Sequence, residues 1–328
     1  MKKSTCLIVG QEPDPHTVAL QSQLSHQGVS VLPFASHPTR ENKGYLCYSF
    51  SPGNVKITFA RGGRNLVADD IATVFWRVKA PLLGLPSNDA RAYDEDFIFR
   101  EWSRGIAGLS KALPDAKWIN RLECNLAAAN KLTQLYTAVE VGFDVPTTRV
   151  SNDADMIEQL FENGPVIYKT LSHPYFGQDS LIFTTQISRE SFNERRQTLH
   201  VAPCLFQNLV DKAYELRVTV IGQSVIPMRI DSQKHDDTKT DWRVGQLRRD
   251  LYDVVTLPPV VRQRVLDLMS RLGLIFGALD LIVTPDGQYV FLEINPVGQW
   301  LWLEELTGTP ITAEIAGYIK TTQPIRFG

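Results

Sequence analysis

Three oxygen-bearing side chains towards the C-terminal end have the types and spacing to hold a hard metal ion: Asp280, then Glu293 thirteen positions on, then Asn295 two further. They stand in Asp280-Leu-Ile-Val-Thr-Pro-Asp-Gly-Gln-Tyr-Val-Phe-Leu-Glu293-Ile-Asn295-Pro296, two apolar runs joined by a Thr-Pro-Asp-Gly turn. Such a turn folds the runs into a hairpin and brings Asp280 to the same end as Glu293, while Glu293 and Asn295 share one strand face. Converging carboxylate and amide oxygens suit Mg2+, which keeps its remaining positions for water and phosphate.

Cations upstream have a matching chemistry. Lys169 stands inside the apolar run Val-Ile-Tyr-Lys-Thr-Leu, where an ammonium without a partner is costly. Lys131 lies on a helix, and either lysine can run along phosphates as a point charge. Arg217 and Arg229 occupy the two arms of an expected hairpin between Glu215 and Ile230, and residue parity puts Arg217 on the face of Glu215. There they either pair with carboxylates or face anions. Arg243 follows Asp241-Trp242, and Arg248-Arg249 beyond it reads equally well as a solvated face.

The elements that must position these groups follow from periodicity. In the first third, residues 6–9, 29–34, 71–78 and 117–120 read as short strands, and 15–26 and 93–113 as helices, an alternation that makes an α/β domain with a parallel sheet. Its first turn, Gly10-Gln-Glu-Pro-Asp14, lacks the GxGxxG of a dinucleotide site. From Arg121 the pattern predicts one long helix at 125–141, a strand at 145–150, a helix at 154–161 capped by Asp153, and strands at 166–170 and 181–187 around a polar loop at 172–180. The last third predicts a strand at 204–210, the Arg217/Arg229 hairpin across Gly222-Gln223, a helix at 260–272, and strands at 278–283 and 289–294.

Composition narrows the function. With 34 basic against 36 acidic side chains, the 328 residues offer no positive field for a polyphosphate backbone, so no nucleic-acid partner is expected. Cys6, Cys47, Cys124 and Cys204 are scattered without a CxxC pair, which supports neither a zinc site nor a disulfide framework and suits a reducing cytoplasm. The apolar run at 6–10 is too short for a secretory signal, and no stretch approaches the roughly 20 apolar residues of a membrane span.

These motifs together resemble the ATP-grasp superfamily of ligases. Asp280, Glu293 and Asn295 look like its magnesium signature. Asn130-Lys131-Leu-Thr-Gln-Leu is similar to the segment of its first nucleotide lysine, and Val166-Ile-Tyr-Lys169 to its second, ahead of the phosphate-covering loop. Gln207-Asn208-Leu209-Val210 occupies the hinge that in the family holds adenine through its backbone. Glu215 matches a ribose-binding carboxylate, and Arg217 an arginine facing the reacting phosphate. Asp241-Trp242-Arg243 resembles a stretch of the ribosomal-protein glutamate ligases. Val74-Phe-Trp-Arg77 and Phe291-Leu-Glu-Ile-Asn-Pro-Val-Gly-Gln-Trp300 resemble the microviridin-type, or graspetide, macrocycle-forming peptide ligases.

The resemblance implies an α/β chain, α+β in its C-terminal part, with the ATP-grasp fold: a pre-ATP-grasp domain at 1–119, a central subdomain at 120–204 and a C-terminal subdomain at 205–328. It implies ATP with two Mg2+ as cofactors, and Arg217, Arg229 and Arg243 as the cations of catalysis. The implied reaction activates Asp or Glu side chains of a precursor peptide as acyl phosphates and closes ester or amide rings. The expected partners are that peptide with its leader segment and a second copy of the chain in a homodimer, and no membrane. The alternatives are a ligase adding a free amino acid to a carboxylate and a nucleotide-binding protein without ligase activity.

Overall fold

The computed structural model describes residues 5–10, 14–36, 44–61, 63–78, 90–172, 175–176, 180–181, 184–239 and 242–321. Residues 11–13 of the first turn, most of the predicted phosphate loop and Asp241 lie outside the described residues.

The first segment is built on Thr-Cys-Leu-Ile-Val-Gly, a run apolar enough to be buried on both faces as β1 (Thr5–Gly10). It lies between β2 (Ser30–Ala35) and β6 (Ile71–Trp76), with β7 (Lys117–Ile119) beyond β6, all parallel. Helix α1 (Pro15–His26) starts after Asp14, whose side chain accepts from His16 N. The remaining elements here are α2 (Ala90–Ala107), α3 (Leu109–Ala112) and an antiparallel meander of β3 (Tyr45–Ser51), β4 (Asn54–Arg61) and β5 (Arg64–Val67). Periodicity did not reveal the meander, because the exposed outer half of β3 and the start of β4 bury no apolar face.

The predicted single helix at 125–141 is two helices, α4 (Leu122–Ala128) and α5 (Lys131–Glu140). The break is at Asn130, which leaves the helical conformation so that its side chain accepts from Leu132 N and Thr133 N. The consequence is that Lys131 opens a helix. Next come β8 (Thr148–Ser151), α6 (Ala154–Glu158), β9 (Val166–Lys169), the short pair β10 (Tyr175–Phe176) and β11 (Ser180–Leu181), β12 (Thr185–Ile187), α7 (Arg189–Arg195) and β13 (Cys204–Asn208). An antiparallel sheet of order β12-β9-β13-β8 results. Val166 and Phe206 pack one face of it against Ile157, Leu160 and Phe192. Alternation turns Ile167, Lys169, Leu205 and Gln207 to the other face.

The last segment contributes β14 (Tyr214–Ile221), β15 (Ser224–Ile230), β16 (Tyr252–Val254), α8 (Pro259–Arg271), β17 (Phe276–Val283), β18 (Tyr289–Asn295), α9 (Leu301–Thr307) and α10 (Ile311–Lys320). Its antiparallel sheet has the order β16-β15-β14-β17-β18. Leu216, Val218, Leu279 and Phe291 pack one face against Val261, Val265 and Leu268 of α8. On the other face Ile221, Met228, Ile230 and Phe276 join a core that also holds Ile8, Leu20 and Phe75 of the first segment and Trp300 and Ile315 of the last. That core joins the expected units 1–119 and 205–328.

Candidate active site

Register in the five-stranded sheet sets the acidic groups. Asp280 on β17 stands opposite Arg217 on β14 and opposite Glu293 on β18, while Ala278 stands opposite Asn295. Plain alternation would put Phe291 and Ile294 on opposite faces, since they are three apart. A bulge at Leu292 brings both into the α8-side core and leaves Glu293 and Asn295 on the other face.

The two neighbouring carboxylates differ in their surroundings. Arg217 donates from one guanidinium nitrogen to both oxygens of Asp280 at 3.0 Å. Burial, with the charge of Glu293 beside it, nevertheless pushes the Asp280 carboxyl up, and Arg217 pulls the other way. At Glu293 burial also acts upwards, but Lys131, Lys169, Arg243 and Arg217 together outweigh it and hold the carboxyl below its usual range. Asn295 accepts from Val297 N through Oδ1 at 2.9 Å, which shapes the turn leaving β18.

Both lysines arrive from the central segment. Lys131 donates to Thr170 O at 2.6 Å; burial lowers its pKa and Glu293 opposes the shift. Lys169 ends β9, and burial lowers it too against the pull of Glu293 and Asp280. Gln134, one turn after Lys131, binds both backbone groups of Ile294, donating to its O at 2.9 Å and accepting from its N at 3.0 Å. This buried amide fastens α5 to β18 next to Glu293. Sequence reasoning missed it, although an amide one helical turn from a functional lysine was the available signal.

Arg243 lies on the segment before β16, and its charge acts on Lys131, Lys169, Asp280 and Glu293 alike. The neighbouring Trp242 stacks on Trp302 of α9 with ring centroids 5.2 Å apart, which anchors that segment. Glu215 is buried with its oxygen 2.5 Å from Lys212 Nζ; burial pushes its carboxyl up and Lys212 pulls it down. Lys212 was also missed, although its position three before Glu215 was visible in the sequence.

The expected hinge is divided. Gln207 faces the Lys169 side of its sheet, with Nε2 donating to Thr148 Oγ1 and Oε1 buried without a hydrogen-bond partner. Asn208 faces the opposite side and donates to Leu160 O, so its side chain braces the sheet. Leu209 N donates to Pro165 O at 2.8 Å, which commits that backbone amide within the protein, and Val210 continues the connection to β14.

Arg229 is a correction. Its register partner is Leu216, not Arg217, so it projects from the α8 side of the sheet. There it pairs with Asp231 at 2.6 Å and lies over the Tyr214 ring at 4.1 Å. An odd step in parity separates it from the site.

Among the described residues no group of three or more His, Cys, Asp or Glu is arranged to hold a metal. The all-oxygen set of Asp280, Glu293 and Asn295 fits a hard cation whose other positions are filled by phosphate oxygen and water. The surrounding cations and the unpartnered, buried Nε of Arg217 fit the phosphates.

The parallel sheet and the four- and five-stranded antiparallel sheets, with a charged site between the latter two, form an arrangement that solved structures of ATP-grasp ligases share. Over 99% of both chains the protein is similar to a Chryseobacterium gregarium RiPP-associated ATP-grasp ligase in complex with ADP and a leader and core peptide (26% identity, TM-score 0.85). Over 97% of this chain and 99% of the other it is similar to the macrocyclase MdnC of Microcystis aeruginosa, bound with precursor peptide MdnA (27% identity, TM-score 0.81). The ATP-grasp ligase PsnB, complexed with precursor peptide PsnA2 and AMPPNP, shares the fold at 18% identity and a TM-score of 0.72, over 97% of each chain. No protein-family model and no curated protein matches the sequence. The fold is that of ATP-grasp ligases, in the form shared by RiPP-associated members.

Proposed function

We propose that the protein is an ADP-forming ATP-grasp ligase that activates Asp or Glu side chains of a ribosomally made precursor peptide and closes ester or amide macrocycles. The observation that carries this reading is the convergence of Lys131, at the start of α5, and Lys169, at the end of β9, on Arg217, Asp280 and Glu293 of the five-stranded sheet, in a fold shared over 97% of this chain with a peptide macrocyclase. In the proposed reaction a peptide carboxylate attacks the γ-phosphorus of ATP and ADP leaves. A hydroxyl or amine of the same peptide then attacks the acyl phosphate, releasing inorganic phosphate and a proton.

The roles follow from position. Lys131 and Lys169 bind and orient the nucleotide phosphates, and Arg217 and Arg243 offset charge that develops during transfer. The Gln207–Val210 connection lies beside the base, with Gln207 as the side chain on the site's face, and Glu215 takes the ribose. Asp280, Glu293 and Asn295 are the residues that would hold Mg2+, two ions in this proposal, which supplies charge neutralisation on phosphate oxygens when bound. The three units 1–119, 120–204 and 205–328 act in a homodimer in the cytoplasm. No helix among the described residues is long and apolar enough to cross a membrane.

The test is co-expression with a Thr/Ser- and Asp/Glu-rich precursor peptide, with and without its leader, followed by intact mass. Each ring should remove about 18 Da as one water. A mass gain of one amino acid per turnover would replace the macrocyclase reading by the amino-acid ligase one. Light scattering checks the dimer.

A further inference from the structure

Arg77 leaves the end of β6 in the first segment, yet its side chain ends at the turn that follows the metal strand. Its Nη1 donates to Val297 O at 3.0 Å and to Gly298 O at 2.9 Å, across more than two hundred positions of sequence. Its Nε lies 3.2 Å from Asp14 Oδ2, and its guanidinium lies 4.9 Å from the Trp300 ring centroid. The side chain is 4% exposed. Asp14 is itself held in place, accepting from His16 N and from Thr17 Oγ1 at the start of α1. Gly10 makes the approach possible, since a Cβ there would stand 3.0 Å from the Arg77 Cβ.

The turn that Arg77 grips is in contact with the site on two sides. Val297 N donates to Asn295 Oδ1, so the orientation of that carboxamide depends on where the turn lies. Gly298 is flush against the sheet: a Cβ on it would lie 2.4 Å from the Ala278 Cβ and 3.3 Å from Arg217 Nη2. A shift of the turn outwards loosens Asn295, and a shift inwards displaces Arg217 from Asp280. A buried ion pair is weak evidence of added stability, because desolvation offsets most of the attraction. One guanidinium nitrogen donating to two consecutive carbonyls, with Nε held by Asp14, is the chemistry of orientation instead.

We infer that Arg77, oriented by Asp14, is a positioning residue that sets the Asn295–Gly298 turn and through it the metal and phosphate ligands of the site. The first segment is then a working part of the ATP site. This inference rests on the nucleotide and metal reading above.

The experiment titrates Mn2+ into the full chain saturated with ADP and follows free Mn2+ by electron paramagnetic resonance, with melting temperatures recorded in parallel. Arg77→Lys keeps the charge and loses the fork, and metal affinity should fall by about tenfold, as for other residues that orient metal ligands. Asp14→Asn leaves the arginine in place and should shift affinity in the same direction by less. Lys117→Met is the control: Lys117 joins β7 to the end of α10 through Tyr318 O and Thr321 O, far in sequence from the turn. It should lower the melting temperature without moving Mn2+ affinity. Unchanged affinity in folded Arg77→Lys and Asp14→Asn overturns the inference, as does an equal loss in Lys117→Met. If Arg77→Lys does not fold, Asp14→Asn against Lys117→Met decides. Failure of the wild-type chain to bind Mn2+ with ADP removes the nucleotide reading instead.

Discussion

On one face of one sheet, Ile221, Met228, Ile230 and Phe276 are packed against the first segment and the C-terminal helices, while Glu215, Arg217, Asp280 and Glu293 look towards the lysines of the central segment. The strands are the same and the alternation is the same. The covering layer differs. Over the apolar part it excludes water with aliphatic and aromatic groups, so burial there adds stability. Over the polar part it brings Lys131 and Lys169, which with Arg217, Arg243 and Lys212 make five cations against the three carboxylates Glu215, Asp280 and Glu293, a surplus that an anion such as a polyphosphate offsets. Alternation selects the face; the neighbour above it selects the chemistry.

Glu293→Gln should break the polar part most deeply. It removes the one charge that Lys131, Lys169 and Arg243 all face, and ADP formation with peptide and Mg2+ should fall on the order of a thousandfold in a chain still folded by circular dichroism. Activity near wild type would detach these residues from catalysis. Phe276→Ala strikes the apolar part instead and should cost about 3 kcal/mol or more of stability by urea denaturation. The surviving folded fraction should keep its Mg2+ dependence, and a changed dependence would mean that the two parts are not separable.

Two arginines sharpen the comparison further. Arg217→Lys keeps a charge for Asp280 but not the guanidinium, so kcat should fall about tenfold to a hundredfold with little change in the KM for ATP. A loss of ATP binding at unchanged turnover would make Arg217 a ground-state anchor. Arg229→Met, on the reverse face, should leave kcat within about twofold of wild type and cost about 1 kcal/mol through the lost Asp231 pair and Tyr214 contact. A large loss of kcat there would contradict the face assignment.

Much of this was legible in the chain. The Thr-Pro-Asp-Gly turn and its apolar flanks announce the hairpin carrying Asp280 and Glu293, and Lys169 is conspicuous as a charge in an apolar run. Arg229 was misread because it stands six positions after the Gly222-Gln223 turn while Arg217 stands five before it, an odd offset that puts the two on opposite faces. Leu216 rather than Arg217 is its partner, as the register shows. The helix break at Asn130 was missed because the apolar periodicity continues through it, although Asn is a good cap.

Residue types, spacing and local propensity, which act within a few positions of the chain, determined the strands outside the β3–β5 meander, the two lysines, the acidic pair and the class of chemistry. The tertiary structure decided what no local rule encodes. The Leu292 bulge exists because Phe291 and Ile294 both enter the core on the α8 side, and it turns Glu293 and Asn295 to the other face. Gln134 and Arg77 bind backbone at Ile294 and at Val297 and Gly298, contacts between segments more than one hundred and fifty positions apart. The sign of the shift at each carboxylate depends on what lies nearby in space: burial raises both, Arg217 does not overcome it at Asp280, and the central-segment lysines with Arg243 and Arg217 do overcome it at Glu293. Such effects depend on distance through space, and sequence separation carries no information about that until the chain has folded.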